Sequence, residues 1–260
     1  KGAEACGLVS CYEHPISLVK NMPSEKLRLI HTSDTHLGDV SGHPQSADAM
    51  TAVVDAVSDN GGDMLLLVGD VFDNERVSDD VLEWFLSEVG RLQTPVVVLP
   101  GNHDLIHESS VYRREPFKNS PDNLFVFKGT EGEVLSFPGM GIDLWGRAMH
   151  AHTPDFKPLE GMPSPTENNW LVALAHGHFH FQEDRDQRSS PIYPQEVADA
   201  ACHYLALGHW DRHVDVSQGN VTAVYSGCPL GPIGSPGAGE VTVVDLDPQT
   251  GVSYRQVAIN

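Results

Sequence analysis

Three short apolar runs alternate with two helical patterns in the first hundred residues, and this alternation constrains the fold more than any other feature of the chain. The runs Leu27–Thr32, Met64–Val68 and Val96–Leu99 have the length and apolar character of buried strands. Between them, residues 49–57 and 81–89 place apolar side chains at helical spacing. Strand–helix–strand repetition predicts βαβ units around a mostly parallel sheet, and therefore an α/β fold.

The second half of the chain is richer in strand patterns and has longer polar segments. Residues 146–169 and 181–200 are polar and contain prolines, so we expect loops or short helices there. The predicted strands are residues 124–127, 134–137, 142–145, 171–175, 204–207, 221–225 and 240–246. We predict a single domain over residues 27–260, preceded by residues 1–26 as an N-terminal extension or a leader added for expression.

Acidic residues strongly outnumber basic ones. The chain has 36 acidic and 16 basic residues and a formal charge of −20. Proteins that bind nucleic acid usually carry a basic surface, so this charge disfavours nucleic acid as a partner, although bound metal ions would add local positive charge. No apolar run reaches the roughly 18 residues that span a bilayer, so we expect no membrane association. The four scattered cysteines are typical of a cytoplasmic protein, and nothing in the sequence indicates the oligomeric state.

Five of the predicted strands run directly into aspartate, histidine or asparagine. The carboxyl ends of parallel strands meet at one edge of a sheet, where α/β proteins bind their ligands. Aspartate, histidine or asparagine after a single strand is common in turns, but their occurrence after five strands indicates a functional site at this edge. The residues at the five strand ends are Asp34 and His36, then Asp70 and Asp73, then Asn102, His103 and Asp104, then His176, and finally His209 and Asp211.

The residue types at these strand ends indicate a metal centre. Carboxylate, imidazole and amide-oxygen ligands suit Mn, Fe or Zn, and suit Mg less when several ligands are histidines. One aspartate has two carboxylate oxygens and can bridge two cations. Two metal ions ~3.5–4 Å apart hold a phosphoryl group and generate a hydroxide nucleophile near neutral pH. A histidine beside such a pair can protonate the leaving oxygen, and an adjacent carboxylate orients that imidazole.

Five segments carry a resemblance to a known family: HTSDTHLG, GDVFDN, LPGNHD, ALGHWD and YSGCPL. In this order they resemble the motifs of calcineurin-like metallophosphoesterases. They are most similar to the branch that contains the nuclease subunit of double-strand-break repair complexes. The resemblance covers about residues 27–260 and implies a four-layer αββα sandwich, in which two mixed sheets are flanked by helices.

The resemblance also implies which residues bind metal. Asp34 and His36 would bind a first metal ion, and Asp70 would bridge the first ion to a second one. The second ion would be bound by Asn102, His176 and His209. Both would be divalent or transition-metal ions, with Mn first and Fe or Zn as the other choices.

Three further residues receive roles next to these ligands. The resemblance makes His103 the general acid and Asp104 the residue that orients it. Asp73 matches an aspartate that supports the ligands without binding a metal ion. His178 follows His176 by two residues, so alternation directs both side chains the same way, and we expect His178 to line the substrate site.

The sequence departs from the family's pattern at one position. The family's last motif ends in a second histidine that binds the first metal ion, whereas this chain has Asp211 there and His213 two residues later. We expect the Asp211 carboxylate to bind the first ion, which favours Mn or Fe over Zn. The alternatives are that His213 reaches the site through a distorted loop, where it would also meet the substrate, or that the first ion lacks one ligand.

Together these features predict a dinuclear phosphoesterase. We expect it to hydrolyse a small phosphoester, preferably a phosphodiester, through a metal-bound hydroxide with His103 as general acid. The first alternative is a Mn-dependent DNA exonuclease or endonuclease of the repair-complex type, which the −20 charge disfavours. The second is a non-catalytic protein that kept the fold. The presence of His103 argues against this second alternative, because a scaffold needs no leaving-group acid.

Overall fold

The computed structural model describes residue 23 and residues 25–166, 168–230 and 239–259. The predicted extension, residues 1–26, lies almost entirely outside the described residues. The described α-helices are Ser46–Asp59 (α1), Asp79–Val89 (α2) and Pro194–Ala198 (α3), with 3-10 turns at Val111–Arg113, Glu115–Asn119 and Pro138–Met140. The described strands are Leu27–Thr32 (β1), Met64–Val68 (β2), Val96–Leu99 (β3), Leu124–Val126 (β4), Glu133–Phe137 (β5), Ile142–Gly146 (β6), Trp170–His176 (β7), His178–Phe179 (β8), Pro191–Ile192 (β9), Tyr204–Gly208 (β10), Val214–Asp215 (β11), Thr222–Tyr225 (β12), Glu240–Asp247 (β13) and Gly251–Ala258 (β14).

The first sheet has six strands in the order β14-β13-β1-β2-β3-β4. Strands β1 to β4 pair in parallel, and β13 and β14 extend the sheet in antiparallel pairing beside β1. Helix α1 connects β1 to β2, and α2 connects β2 to β3. Every residue of β2 and β3 is buried, as expected for parallel strands that are covered on both faces.

The second sheet also has six strands, in the order β11-β12-β10-β7-β6-β5. Its four central strands pair in parallel, and β5 and β11 pair antiparallel at the two edges. Both sheets are therefore mixed. This confirms the predicted arrangement of two mixed sheets with helices outside them, and β8 and β9 form a small separate pair.

The two sheets pack face to face, and β7 shows how its residues are shared between two cores. Val172 and Leu174 belong to the large core that β7 shares with the first sheet. Leu171 and Ala173 point the other way, into a smaller core that also contains Val197 of α3. This alternation is the two-residue period of a strand. Within the described residues, no helix combines the length and the apolar character needed to cross a membrane.

The apolar runs predicted most strands, and the failures have a common cause. Strands β1, β2 and β3 have the predicted bounds, and the segment 181–200 contains the short helix α3, as expected. The sequence did not predict β8, β9, β11 or β14. Three of these have two residues, and β14 is half exposed and lacks an apolar run. Such strands form because a partner strand is already in place, so local pattern does not predict them.

Candidate metal centre

The loops that follow the strands of the site have an unusual backbone. Asp34, His36, Asp70 and His209 have positive φ angles of 56°, 46°, 53° and 109°. Residues other than glycine rarely adopt this conformation, and the surrounding structure must hold them in it. Two hydrogen bonds do so here: the Asp34 amide donates to the Gly69 carbonyl and the His36 amide donates to the Asp70 carbonyl, each at 3.0 Å. The loops after β1 and β2 are therefore tied together.

These loops assemble two groups of metal-binding atoms that share one aspartate. Asp34, His36 and Asp70 place one ligand atom each within 4.8 Å of one another, and so do Asp70, His176 and His209. Asp34 and Asp70 are buried, with 2% of their surface exposed. Because Asp70 belongs to both groups, its carboxylate lies where a bridge between two cations requires it.

Asn102 completes the second group with an amide oxygen. Its Oδ1 lies 3.1 Å from His176 Nε2 and 2.9 Å from His209 Nδ1. His176 Nε2 also lies 3.3 Å from Asp70 Oδ2. The amide of His209 donates to Asp34 Oδ2 at 2.9 Å, which links the second group to the first. The structure thus brings together six of the predicted ligands, which are Asp34, His36, Asp70, Asn102, His176 and His209.

The composition of the site fits two divalent cations. Among the described residues, no lysine or arginine forms an ion pair with Asp34 or Asp70, so these two buried carboxylates have His176 as their nearest cationic partner, and burying two negative charges beside one positive charge is costly. His36 Nδ1 is buried and has no hydrogen-bond partner. Two metal ions would neutralise the carboxylates and give the imidazoles a partner. The mixed carboxylate, imidazole and amide set suits Mn, Fe or Zn.

The electrostatics of the site show the same need for cations. Burial raises the pKa of Asp34 to about 7, with His176 opposing this shift and Asp70 adding to it. Burial alone would lower the pKa of His176, but Asp70 and Asp34 raise it to about 10. Burial, reinforced by His176, lowers the pKa of His209 to about 3. Metal binding would displace any proton that these ligands carry.

His103 lies beside the ligands on the open side of the site. Its ring centroid is 4.7 Å from that of His36, and its backbone amide donates to Asp70 Oδ1 at 2.8 Å. Its Nδ1 lies 2.5 Å from the Asp73 carbonyl oxygen and 4.0 Å from Asp73 Oδ1. The side chain lines an open cavity of about 520 Å³ together with Asn102. His103 is thus positioned by Asp73 and accessible to a substrate.

Asp104 does not orient His103, contrary to the sequence-based expectation. Its carboxylate is fully buried and accepts hydrogen bonds from the amides of Gly101 at 2.7 Å and Val71 at 2.8 Å, and from the Tyr112 hydroxyl at 2.6 Å. The amides of Asp70 and Phe72 add contacts at 3.3 and 3.2 Å. Asp104 therefore holds the loops after β2 and β3 together. The residue that positions His103 is Asp73.

Neither Asp211 nor His213 joins the ligands in the described structure. Asp211 belongs to none of the candidate metal groups, and its backbone carbonyl accepts a hydrogen bond from the Cys228 amide. His213 contacts β14 instead: its ring packs on Tyr254 and its Nδ1 lies 2.7 Å from Gln256 Nε2. The expectations that Asp211 completes the first metal position and that His213 meets the substrate are therefore not supported by the geometry.

His178 lies near the site but outside the ligand groups. Its ring centroid is 6.3 Å from that of His209, and Trp210 Nε1 donates to its Nδ1 at 3.3 Å. Its Nε2 faces Asp184 Oδ2 at 3.6 Å. Both ring nitrogens therefore have protein partners, and the substrate-lining role of His178 stays a prediction.

Sequence reasoning missed His152, which the structure brings to the edge of the site. Its ring centroid lies 5.6 Å from that of His209. Burial, reinforced by His176, lowers its pKa. His152 lies in the polar segment between β6 and β7, away from every motif, and a histidine in such a segment is usually solvated. No pattern in the sequence indicates that this loop returns to the metal-binding edge.

Comparisons with known proteins agree with this geometry. The calcineurin-like phosphoesterase family matches residues 27–212 of the chain. The D subunit of the nuclease SbcCD from Bacillus subtilis is 25% identical over 280 residues, which cover 90% of this chain and 70% of that protein.

Two solved structures share the fold. TT1561 of Thermus thermophilus matches with a TM-score of 0.55 and 13% identity, over 89% of this chain and 98% of its own. A dimetal phosphatase from Danio rerio matches with a TM-score of 0.55 and 10% identity, over 91% and 100%. The family match spans well over half of the sequence. The chain therefore belongs to the calcineurin-like phosphoesterase family, whose members hydrolyse phosphoester bonds at a dinuclear metal centre.

Proposed function

We propose that this protein hydrolyses small phosphodiesters at a dinuclear metal centre. The observation that carries the proposal is that the buried Asp70 belongs to both ligand groups, while the accessible His103 lies directly beside them. The cavity next to His103 leaves room for the second ester substituent of a diester, which supports a diester over a monoester. A small substrate agrees with the net charge of −20, since the acidic surface repels long polyanions.

The described side chains divide between two metal positions. Asp34, His36 and Asp70 would hold one ion, and Asp70 would share the other with the remaining three ligands, which are Asn102, His176 and His209. When bound, two such ions polarise a phosphoryl group and activate water at neutral pH. We propose Mn for both positions, because hard oxygen ligands accompany the imidazoles.

His103 would protonate the leaving oxygen. Its Nδ1 donates to the Asp73 carbonyl oxygen, which fixes the ring beside the open cavity, so the proton for the leaving oxygen would be the second N–H of the imidazolium form, on Nε2. A general acid must stand within hydrogen-bond reach of the atom that it protonates, and the cavity gives the leaving group access to this nitrogen.

A series of aryl phosphodiesters with leaving groups of increasing pKa tests this proposal. His103→Ala should keep both metal ions and lose about a hundredfold or more in turnover with poor leaving groups, because a proton donor is typically worth that much. The loss should shrink with very acidic leaving groups, which need no proton. His107→Ala is the matched control, since His107 lines the same cavity but is paired with Glu75.

Two results would contradict the proposal. An equal loss with all leaving groups would remove His103 from the role of general acid. If the Mn-loaded protein hydrolyses p-nitrophenyl phosphate but not bis-p-nitrophenyl phosphate, the protein is a monoesterase and not a diesterase.

A second candidate function is DNA cleavage at the same site. It is favoured by the similarity to a protein named as a nuclease subunit. It is disfavoured by the acidic surface, and the salt dependence of duplex digestion separates the two functions. We also propose a cytoplasmic location, because the described cysteines, Cys202 and Cys228, are free thiols, as is usual in that compartment.

A further inference from the structure

His152 is an accessible imidazole at the edge of the site that the proposed chemistry does not yet use. It lies in the segment between β6 and β7, and its ring centroid is 5.6 Å from that of the ligand His209. His152 lies next to the second ligand group, whereas His103 lies next to the first one, with its ring centroid 4.7 Å from that of His36. The two groups of metal ligands thus each have one accessible histidine next to them.

Ser190 holds His152 in place. Ser190 is fully buried, and its Oγ lies 3.3 Å from His152 Nδ1. Its amide donates to the Thr153 carbonyl at 2.8 Å, and its own carbonyl accepts from the His178 amide at 3.0 Å. These bonds connect the segment that carries His152 to the segment that follows the ligand strand β7.

The backbone of Ser190 shows that this connection is maintained at a cost. Its φ angle is 49°, in the left-handed region that residues other than glycine seldom adopt. In the described structure the same backbone feature occurs at four of the proposed metal ligands. Strained residues of this kind cluster at functional sites, where the surrounding structure enforces them.

The contacts of Ser190 are compatible with a proton on Nε2 of His152. The hydroxyl has two acceptors nearby, His152 Nδ1 at 3.3 Å and Met149 Sδ at 3.7 Å. An imidazole nitrogen is the stronger acceptor, since a thioether sulfur accepts only weakly. When the hydroxyl donates to Nδ1, the proton of the neutral ring lies on Nε2. Among the described residues, Nε2 has no hydrogen-bond partner.

We propose that His152, positioned by Ser190, donates a hydrogen bond from Nε2 to a phosphoryl oxygen of the substrate on the His209 side of the site. This inference rests on the proposed phosphoesterase function and adds a substrate-binding residue to it. His152 would bind a phosphoryl oxygen near His209, and His103 would protonate the leaving oxygen near His36.

Binding of inorganic phosphate to the Mn-loaded protein, measured by calorimetry together with metal content, tests this inference. His152→Ala should keep both metal ions and weaken phosphate binding about tenfold or more, as expected for a lost hydrogen bond to a charged group. The matched control is His150→Ala, because His150 lies in the same segment but packs on Phe156. The control should change the Kd by less than about twofold, since it removes no contact with the site.

A double-mutant cycle tests the positioning role of Ser190. Ser190→Ala should weaken phosphate binding in the wild-type background and have no further effect in the His152→Ala background. An equal effect in both backgrounds would mean that Ser190 acts on the fold and not through His152.

Three outcomes overturn the inference, and each is distinct from failure of the proposed function. An unchanged phosphate Kd in His152→Ala removes His152 from the binding site, even if the wild type hydrolyses diesters. Loss of a metal ion in His152→Ala would show that His152 is a metal ligand and not a substrate-binding residue. Wild-type protein that binds metal but not phosphate also contradicts the inference. A wild type that binds phosphate but hydrolyses no phosphoester refutes the proposed function alone, since phosphate binding still reports on His152.

Discussion

The Asp104 carboxylate shows how one buried side chain can fix a site without touching a substrate. It accepts hydrogen bonds from the amides of Asp70, the proposed bridging ligand, and of Val71, Phe72 and Gly101, and from the Tyr112 hydroxyl. Burial and the nearby Asp70 raise its pKa, and hydrogen bonds from Tyr112 and Gly101 oppose that shift. The family resemblance implied that Asp104 orients His103. The carboxylate instead accepts hydrogen bonds from the amides of Asp70 and Val71 and so stabilises the backbone of Asp70 at its positive φ angle.

We therefore predict that Asp104→Asn destabilises the fold. An amide group would place its own N–H donors against backbone donors, and the free energy of unfolding should fall by about 3 kcal/mol. Tyr112→Phe removes one of the hydrogen bonds and leaves the backbone contacts, so it should cost about 1–2 kcal/mol. Denaturant titration measures both values. Normal stability combined with a loss confined to poor leaving groups would restore the orienting role that the sequence suggested.

The loop after β3 is the element that sets the position of Asp70 from the other side. Its second residue is Gly101, and a Cβ atom at this position would overlap with both the carboxylate and the amide nitrogen of Asp70. The loop can lie this close only because residue 101 has no side chain. Glycine is required at position 101 because the loop after β3 packs against the loop after β2, and the β3 loop by itself would not require it.

Gly101→Ala should consequently displace the bridging carboxylate. We expect the variant to lose at least one of two bound Mn ions, because Asp70 contributes to both ligand groups. Gly139→Ala is the matched control, since a Cβ there meets nothing within 4 Å. Elemental analysis of the reconstituted proteins gives the metal content. Two tightly held ions in Gly101→Ala would show that the bridge does not depend on this close approach.

At the scale of the whole molecule, net charge separates the two candidate functions. The charge of −20 repels a long polyanion but affects a small diester much less. We predict that the Mn-loaded protein hydrolyses a small aryl diester much faster than it digests duplex DNA at physiological salt. Rates on both substrates at several salt concentrations provide the test. Rapid duplex digestion that falls steeply with added salt would favour the nuclease.

The packed interior also predicts a response of stability to pH. His31 is fully buried, and burial lowers its pKa from 6.5 to about 3, with His213 adding to the shift and a backbone hydrogen bond with Leu207 opposing it. Between these two values the unfolded chain binds a proton that the folded protein does not. The free energy of unfolding should therefore fall as the pH drops below about 6.5, by up to about 1.4 kcal/mol per pH unit.

His31→Gln removes this titration and keeps a polar partner for Tyr204, whose hydroxyl lies 2.8 Å from His31 Nδ1. Comparing unfolding at about pH 7.5 and about pH 5.5, we expect the variant to lose about 1.4 kcal/mol less stability than the wild type. Equal losses in the two proteins would mean that His31 does not titrate between the folded and unfolded states.

The sequence by itself determined the fold class and indicated the candidate metal ligands that directly follow a strand. The runs that became β2 and β3 are apolar throughout because the sheet buries both of their faces, so their bounds are visible in the sequence. Parallel strands in one sheet bring their carboxyl ends to a common edge. For that reason the strand pattern alone places Asp34 and Asp70 together.

Only the tertiary structure decided the contacts between loops. Asp104 bonds to amides more than thirty positions earlier in the chain, His213 turns towards β14, and His152 returns to the site through Ser190. Each contact depends on where two distant segments meet. Local sequence fixes the period of a strand and the chemistry at its end, but the partner of a loop side chain is set by how the whole chain packs.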